Sequence, residues 1–171
     1  MIGALKQRSV LKQLRKAIDQ QKRVLPTGKL QNVLLLSQNG LTANAQAVAS
    51  LAKKLQLPVA DIWFREFTTG IKPEELGPQQ WCKKHFGWQG KLLADDAAAF
   101  QVKDFDLIVA YYWSENPLLD NLIASKPNAF RVGTAGGNEA LYDLIIDTPK
   151  GDWAAFENEL IKYLTILKLC P

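Results

Sequence analysis

The stretch VLLLSQNGLTANAQAVASLAKKLQLPVADIWFREF, residues 33–67, decides the fold. Val33 to Leu36 is a continuous apolar run, which suits a strand buried on both faces, as in parallel sheets. Ser37-Gln-Asn-Gly40 then turns the chain. A helix follows with Val48, Leu51, Ala52 and Leu55 on one stripe, and Thr42 or Asn44 stands where its cap belongs. Leu57-Pro58 ends the helix, and Val59 to Phe67 returns as a strand with Ile62 and Phe64 facing inward. A strand, helix and strand in this order close as a right-handed parallel crossover.

Toward the C-terminus the alternation repeats. Phe105 to Tyr112 reads as a strong central strand. Pro117 opens a helix whose apolar side is Leu118, Leu119, Leu122 and Ile123. Phe130 to Gly133 and Leu144 to Asp147 read as short strands. Asp152 caps a last helix with Phe156, Leu160, Tyr163, Leu164 and Leu167 on its stripe. Toward the N-terminus, Leu11, Leu14 and Ile18 recur at helical spacing until Pro26-Thr-Gly28 breaks the pattern. Residues 68–100 are irregular, and within them 78–85 reads as a short helix. Trp81, Phe86 and Trp88 form an aromatic cluster that either pins this segment to the core or offers a stacking platform for bases.

Strands alternating with helices imply an α/β fold. The expectation is a three-layer sandwich with a mostly parallel sheet of about five strands, flavodoxin-like or Rossmann-like, preceded by a basic N-terminal helix. Two parts are expected: residues 1–28 as a basic helical extension and 29–171 as a single α/β domain.

Composition narrows the class. In 171 residues the hydrophobic fraction is 47% and the charged fraction 22%, which fits a globular chain and not a disordered one. No apolar run reaches the roughly 20 residues of a membrane-spanning helix. Lys6, Arg8, Lys12, Arg15 and Lys16 interrupt any apolar core of a secretory signal, so the expected location is the cytoplasm. Cys82 and Cys170 read as two free thiols. Cys82 with His85 supplies half a zinc site without further ligands, so neither a metal nor a cofactor is expected.

Charge is uneven. Residues 1–29 hold eight Lys/Arg against Asp19 alone, +7, while the net charge of the chain is +4, leaving −3 for the rest. A basic arm on an acidic body suits RNA, an acidic protein partner or an anionic membrane surface; a solvated polar face explains the same charges. Arg8, Lys12, Arg15 and Lys16 are the candidate partner-binding residues. Homo-oligomerisation through this helix is a further reading.

Small-molecule chemistry has a different candidate place. Open parallel sheets bind ligands beyond the carboxyl ends of their strands. Three loops reach that edge and nominate Ser37, Asn39 and Gly40, then Asn116, then Gly133, Thr134, Gly136, Gly137 and Asn138. Glycines at 133, 136 and 137 let the backbone approach a phosphate held at a short helix starting near Asn138, or they simply make a tight connection. The chain has neither a GxGxxG nor a GxxxxGK[ST] motif. It has one histidine, His85, flanked by lysines in sequence, so no catalytic residue is nominated.

The segments FDLIVAYYWSENPLLDNLIASKPNAFRVGTAGGNEALYDLIIDT and FENELIKYLTIL, with CKKHFGWQGK and the basic N-terminal helix, resemble a family of small bacterial α/β proteins built on a domain of unknown function. That resemblance spans nearly the whole chain and implies no established activity. A shorter stretch, FDLIV with the following apolar helix and FRVG, is similar to the N-terminal Rossmann-like domain of heptosyltransferase-like glycosyltransferases. It implies a fold, not a catalytic residue, because those enzymes need a second such domain for the sugar nucleotide. Two functions follow as expectations. One is a non-catalytic interaction module using the basic helix. The other is a nucleotide or sugar-phosphate binding protein, or a degenerate glycosyltransferase-like enzyme, using the strand edge.

Overall fold

A computed structural model describes residues 2–23, 25–41 and 43–171. The described residues form the helices α1 Ile2–Gln20, α2 Ala45–Leu55, α3 Ala97–Val102, α4 Pro117–Ala124 and α5 Trp153–Ile166. The strands are β1 Val33–Gln38, β2 Ile62–Thr68, β3 Gln80–Cys82, β4 Leu107–Tyr111, β5 Phe130–Thr134 and β6 Leu144–Ile146. They form one sheet in the order β3-β2-β1-β4-β5-β6, and every pairing is parallel. This is the strand order of a Rossmann-type doubly wound sheet, with its switch point between β1 and β4.

Strand periodicity sorts the core into two layers. Leu35 of β1 with Leu107, Val109 and Tyr111 of β4 packs under α2 and α5, against Leu51, Leu55, Phe156 and Leu160. Leu34, Leu36, Ile108, Ala110 and Tyr112 point to the opposite face, where α4 and the aromatic side chains Trp81, Phe86 and Phe100 cover them. β1 and β4 are buried on both faces, which explains their unbroken apolar runs.

The helix signals act locally. Asn44 caps α2, its Oδ1 accepting from the N–H groups of Gln46 and Ala47 at 3.0 and 3.1 Å. Thr42, the other candidate cap, lies outside the described residues. Asn116 and Asp152 cap α4 and α5 in the same way.

The expected α/β fold with a parallel sheet is present, with six strands against about five, and two local readings are corrected. The extra strand is β3, inside residues 78–85, where the pattern predicts a short helix. Gln80, Trp81 and Cys82 instead pair with Glu66, Phe67 and Thr68 of β2, and only a single 3-10 turn, Lys83–His85, follows. Three residues are too few to show alternation, and what fixes β3 is its long-range pairing and the burial of Trp81. Val59–Asp61, expected to open β2, is also a 3-10 turn.

α1 packs against α4 and the 3-10 turn Trp88–Gly90, burying Val10 and Leu14. No helix of the described residues is long and apolar enough to cross a membrane.

Candidate functional site

Two places carry the nominated residues. The first is the carboxyl edge of β4 and β5. Gly133 lies under the ring of Tyr142: a Cβ there would sit 2.1 Å from Tyr142 Cε2. A Cβ at Gly137 would meet the Tyr142 hydroxyl at 3.0 Å, a tighter than ordinary contact. Gly133, and less strictly Gly137, therefore make room for a tyrosine. Asn138 leads into one 3-10 turn, Glu139–Leu141, too short to gather the free N–H groups of a phosphate site.

Beneath that loop is a buried polar network. Thr134 Oγ1 donates to the carbonyl of Tyr112, and the Tyr112 hydroxyl donates to Asp120 Oδ1 at 2.8 Å. Tyr112, Asp120 and Thr134 are fully buried. Burial pushes the Asp120 carboxyl up to about 7, against the lowering pull of the Tyr112 and Asn138 hydrogen bonds. The Tyr112 phenol is raised well above its ordinary value by burial and then by Asp120. Burial raises the Tyr142 phenol too, with Asp120 adding to the rise and the neighbouring Tyr112 hydroxyl pulling against it.

The structure thus brings Asn116, Gly133, Thr134, Gly137 and Asn138 around Tyr112, Asp120 and Tyr142. The β1 loop is tied elsewhere. Ser37 is fully buried, and Asn39 Nδ2 donates to the Thr69 carbonyl at 3.2 Å. Gly40 and Gly136 are exposed turn residues with φ of 84° and 93°. Asn116 also lines a cavity of about 280 Å³ between α1 and the start of α4, with Lys6, Lys83 and Glu115 beside it. His85 Nδ1 accepts the Cys82 N–H at 3.3 Å, a local turn contact.

The second place is α1. Asn121 Nδ2 donates to the Val10 carbonyl at 3.0 Å, Ser9 Oγ accepts the Gln89 N–H at 3.1 Å, and the Lys6 ammonium donates to the Phe86 carbonyl. Further along, Gln21 Nε2 and Arg23 Nη2 reach the Ala140 carbonyl at 3.0 and 2.9 Å. With one face held in this way, Arg8, Lys12, Arg15 and Lys16 are all exposed on the opposite side. At 100° per residue these four fall within one arc, with Asp19 the lone acid in it. Of the aromatic cluster, Trp81 and Phe86 are buried, whereas Trp88 is 55% exposed beside α1.

Sequence reasoning missed Asp120, Tyr142 and Asn121. A signal for the first existed: Asp120 is the one acid in the apolar segment of α4. Nothing local marks Tyr142, whose role depends on a glycine nine positions earlier and across the sheet edge.

Residues 6–167 match the model of the Family of unknown function (DUF6913). No curated protein matches the chain.

Proposed function

This chain belongs to that family of unknown function, and from its own geometry we propose that it is a non-catalytic interaction module of the bacterial cytoplasm. Its α1 face takes a polyanion: an RNA backbone or an acidic protein surface. The observation that carries this reading is the fixed, exposed arc of Arg8, Lys12, Arg15 and Lys16 on a helix anchored through Asn121, Ser9 and Lys6. Anchoring matters because an ordered helix presents its cations without the ordering cost that a flexible tail incurs on binding. The sign of the charge is right for phosphate, and the acidic remainder of the chain disfavours non-specific coating.

A non-catalytic role is supported by the sealed state of the Tyr112–Asp120–Thr134 network. Tyr112 and Asp120 are fully buried under the Gly133–Asn138 loop, and His85 is engaged with its own turn.

Binding of the full chain to a labelled RNA, followed as a function of salt, tests the reading. The logarithm of affinity is expected to fall linearly with that of salt. Changing Arg8, Lys12, Arg15 and Lys16 to Gln together is expected to remove up to about four units of slope and most of the binding. Failure to bind RNA or any acidic partner at low salt would reject it.

A further inference from the structure

A cleft of about 680 Å³ opens beside the anchored face of α1. Gln13 of α1, Gln89 of the Trp88–Gly90 turn, Gln101 of α3 and Asn121 of α4 supply amides to its walls, and Phe100 is an apolar part of the lining. Among the described residues its lining contains Lys91 and Lys126 and no acidic residue. Lys126 is occupied, its ammonium donating to the carbonyls of Phe100, Gln101 and Lys103. Lys91, Gln13, Gln89 and Gln101 are exposed.

Trp88 is 55% exposed and directly precedes Gln89 and Gly90, two residues of the cleft lining, in the same turn. The turn that carries it is tightly defined. Gln89 has φ 57°, and Gly90 has φ 75° with no room for a Cβ, which would lie 2.9 Å from Asn121 Nδ2. The Gln89 N–H is bonded to Ser9. A left-handed non-glycine residue is strained, and here the turn that bears it leaves an indole in solvent at the flank of a basic helix.

We propose that the cleft takes an unpaired nucleotide of a single strand whose phosphates run along the basic arc of α1. Trp88 is the stacking platform, and the glutamine amides meet the base edge. The inference rests on the polyanion reading and specifies its ligand. Three features select a nucleotide over an acidic peptide. An exposed indole stacks on any base, and a carboxylate offers no such face. Neutral amides match the mixed donor and acceptor edges of bases. An acid-free cleft of this size falls within the range of small-ligand sites. A duplex keeps its bases stacked and out of reach.

The test is fluorescence anisotropy of the full chain at low salt with labelled oligouridylate, a duplex RNA of equal length and polyglutamate as competitor. The single strand is expected to bind at least tenfold tighter than the duplex. Trp88→Ala is expected to weaken it by roughly tenfold or more, Trp88→Phe to restore most of that loss, and Gln13→Leu with Gln101→Leu to alter the ranking of homopolymers. Equal affinity for both RNAs, no effect of Trp88→Ala, or displacement by polyglutamate as effective as by RNA overturns the nucleotide assignment. In those cases salt-dependent binding that vanishes with the α1 charges leaves the polyanion reading intact. Binding to none of the three probes removes both.

Discussion

The Tyr112 hydroxyl donates to Asp120 Oδ1 at 2.8 Å in a region where both residues are fully buried. A carboxyl so placed keeps its proton far into the neutral range, to about 7 from an ordinary 3.8. The folded state therefore binds more protons than the unfolded state between those values. Stability contributed by this group is fully present below about pH 4 and declines as pH rises through 7. The loss across that window is roughly 4 kcal/mol, and it is flat above. Asp120→Asn keeps an acceptor for Tyr112 and removes the titration. Urea unfolding from pH 4 to 8 should show the wild-type decline flattened in the variant, with the variant the more stable protein at pH 8. An unchanged pH dependence would rule out Asp120 as its source.

Gly133 and Tyr142 form a lock of shape. A methyl at Gly133 would meet the Tyr142 ring at 2.1 to 2.3 Å, a distance no side-chain adjustment of tenths of an ångström can relieve. Gly133→Ala should cost about 3 kcal/mol or more in thermal or urea unfolding. Tyr142→Ala removes the obstacle, so the two changes should be strongly non-additive in a double-mutant cycle. Additive losses would mean that the ring is not what excludes a side chain here.

Asn121 ties α1 to α4 through the Val10 carbonyl at 3.0 Å. Asn121→Ala should lower global stability by only about 1 kcal/mol. Its larger effect should be local: amide exchange across residues 2–20 accelerates while β4 stays protected. If β4 and α1 lose protection together, α1 is part of the same cooperative unit as the sheet and Asn121 is not a separable anchor.

Much of the fold was legible in the chain, and the reason is periodicity. Val33–Leu36 and Leu107–Tyr111 had to be unbroken because both faces of β1 and β4 are covered, and the apolar stripes of α2 and α5 had to repeat every three or four residues. Asn44 and Asp152 marked helix starts because a cap acts over three residues. β3 was invisible: three residues paired to β2 carry no period of their own.

The candidate sites divide along the same line. The basic arc of α1 was readable, since helical spacing alone places Arg8, Lys12, Arg15 and Lys16 together. The glycines at 133 and 137 were readable as special but not as to why.

By itself, then, the amino-acid order determined the strands and helices other than β3 and α3, which faces they bury and where the positive charge collects, because each of these is set by neighbours within a turn or two. Tertiary structure alone decided that Tyr142 fills the space over Gly133, that Asp120 meets Tyr112 away from water, and that Trp88 stands exposed beside α1. Those pairings join residues on different elements. Their partners are chosen by the packing of the whole domain, and local propensity holds no record of that choice.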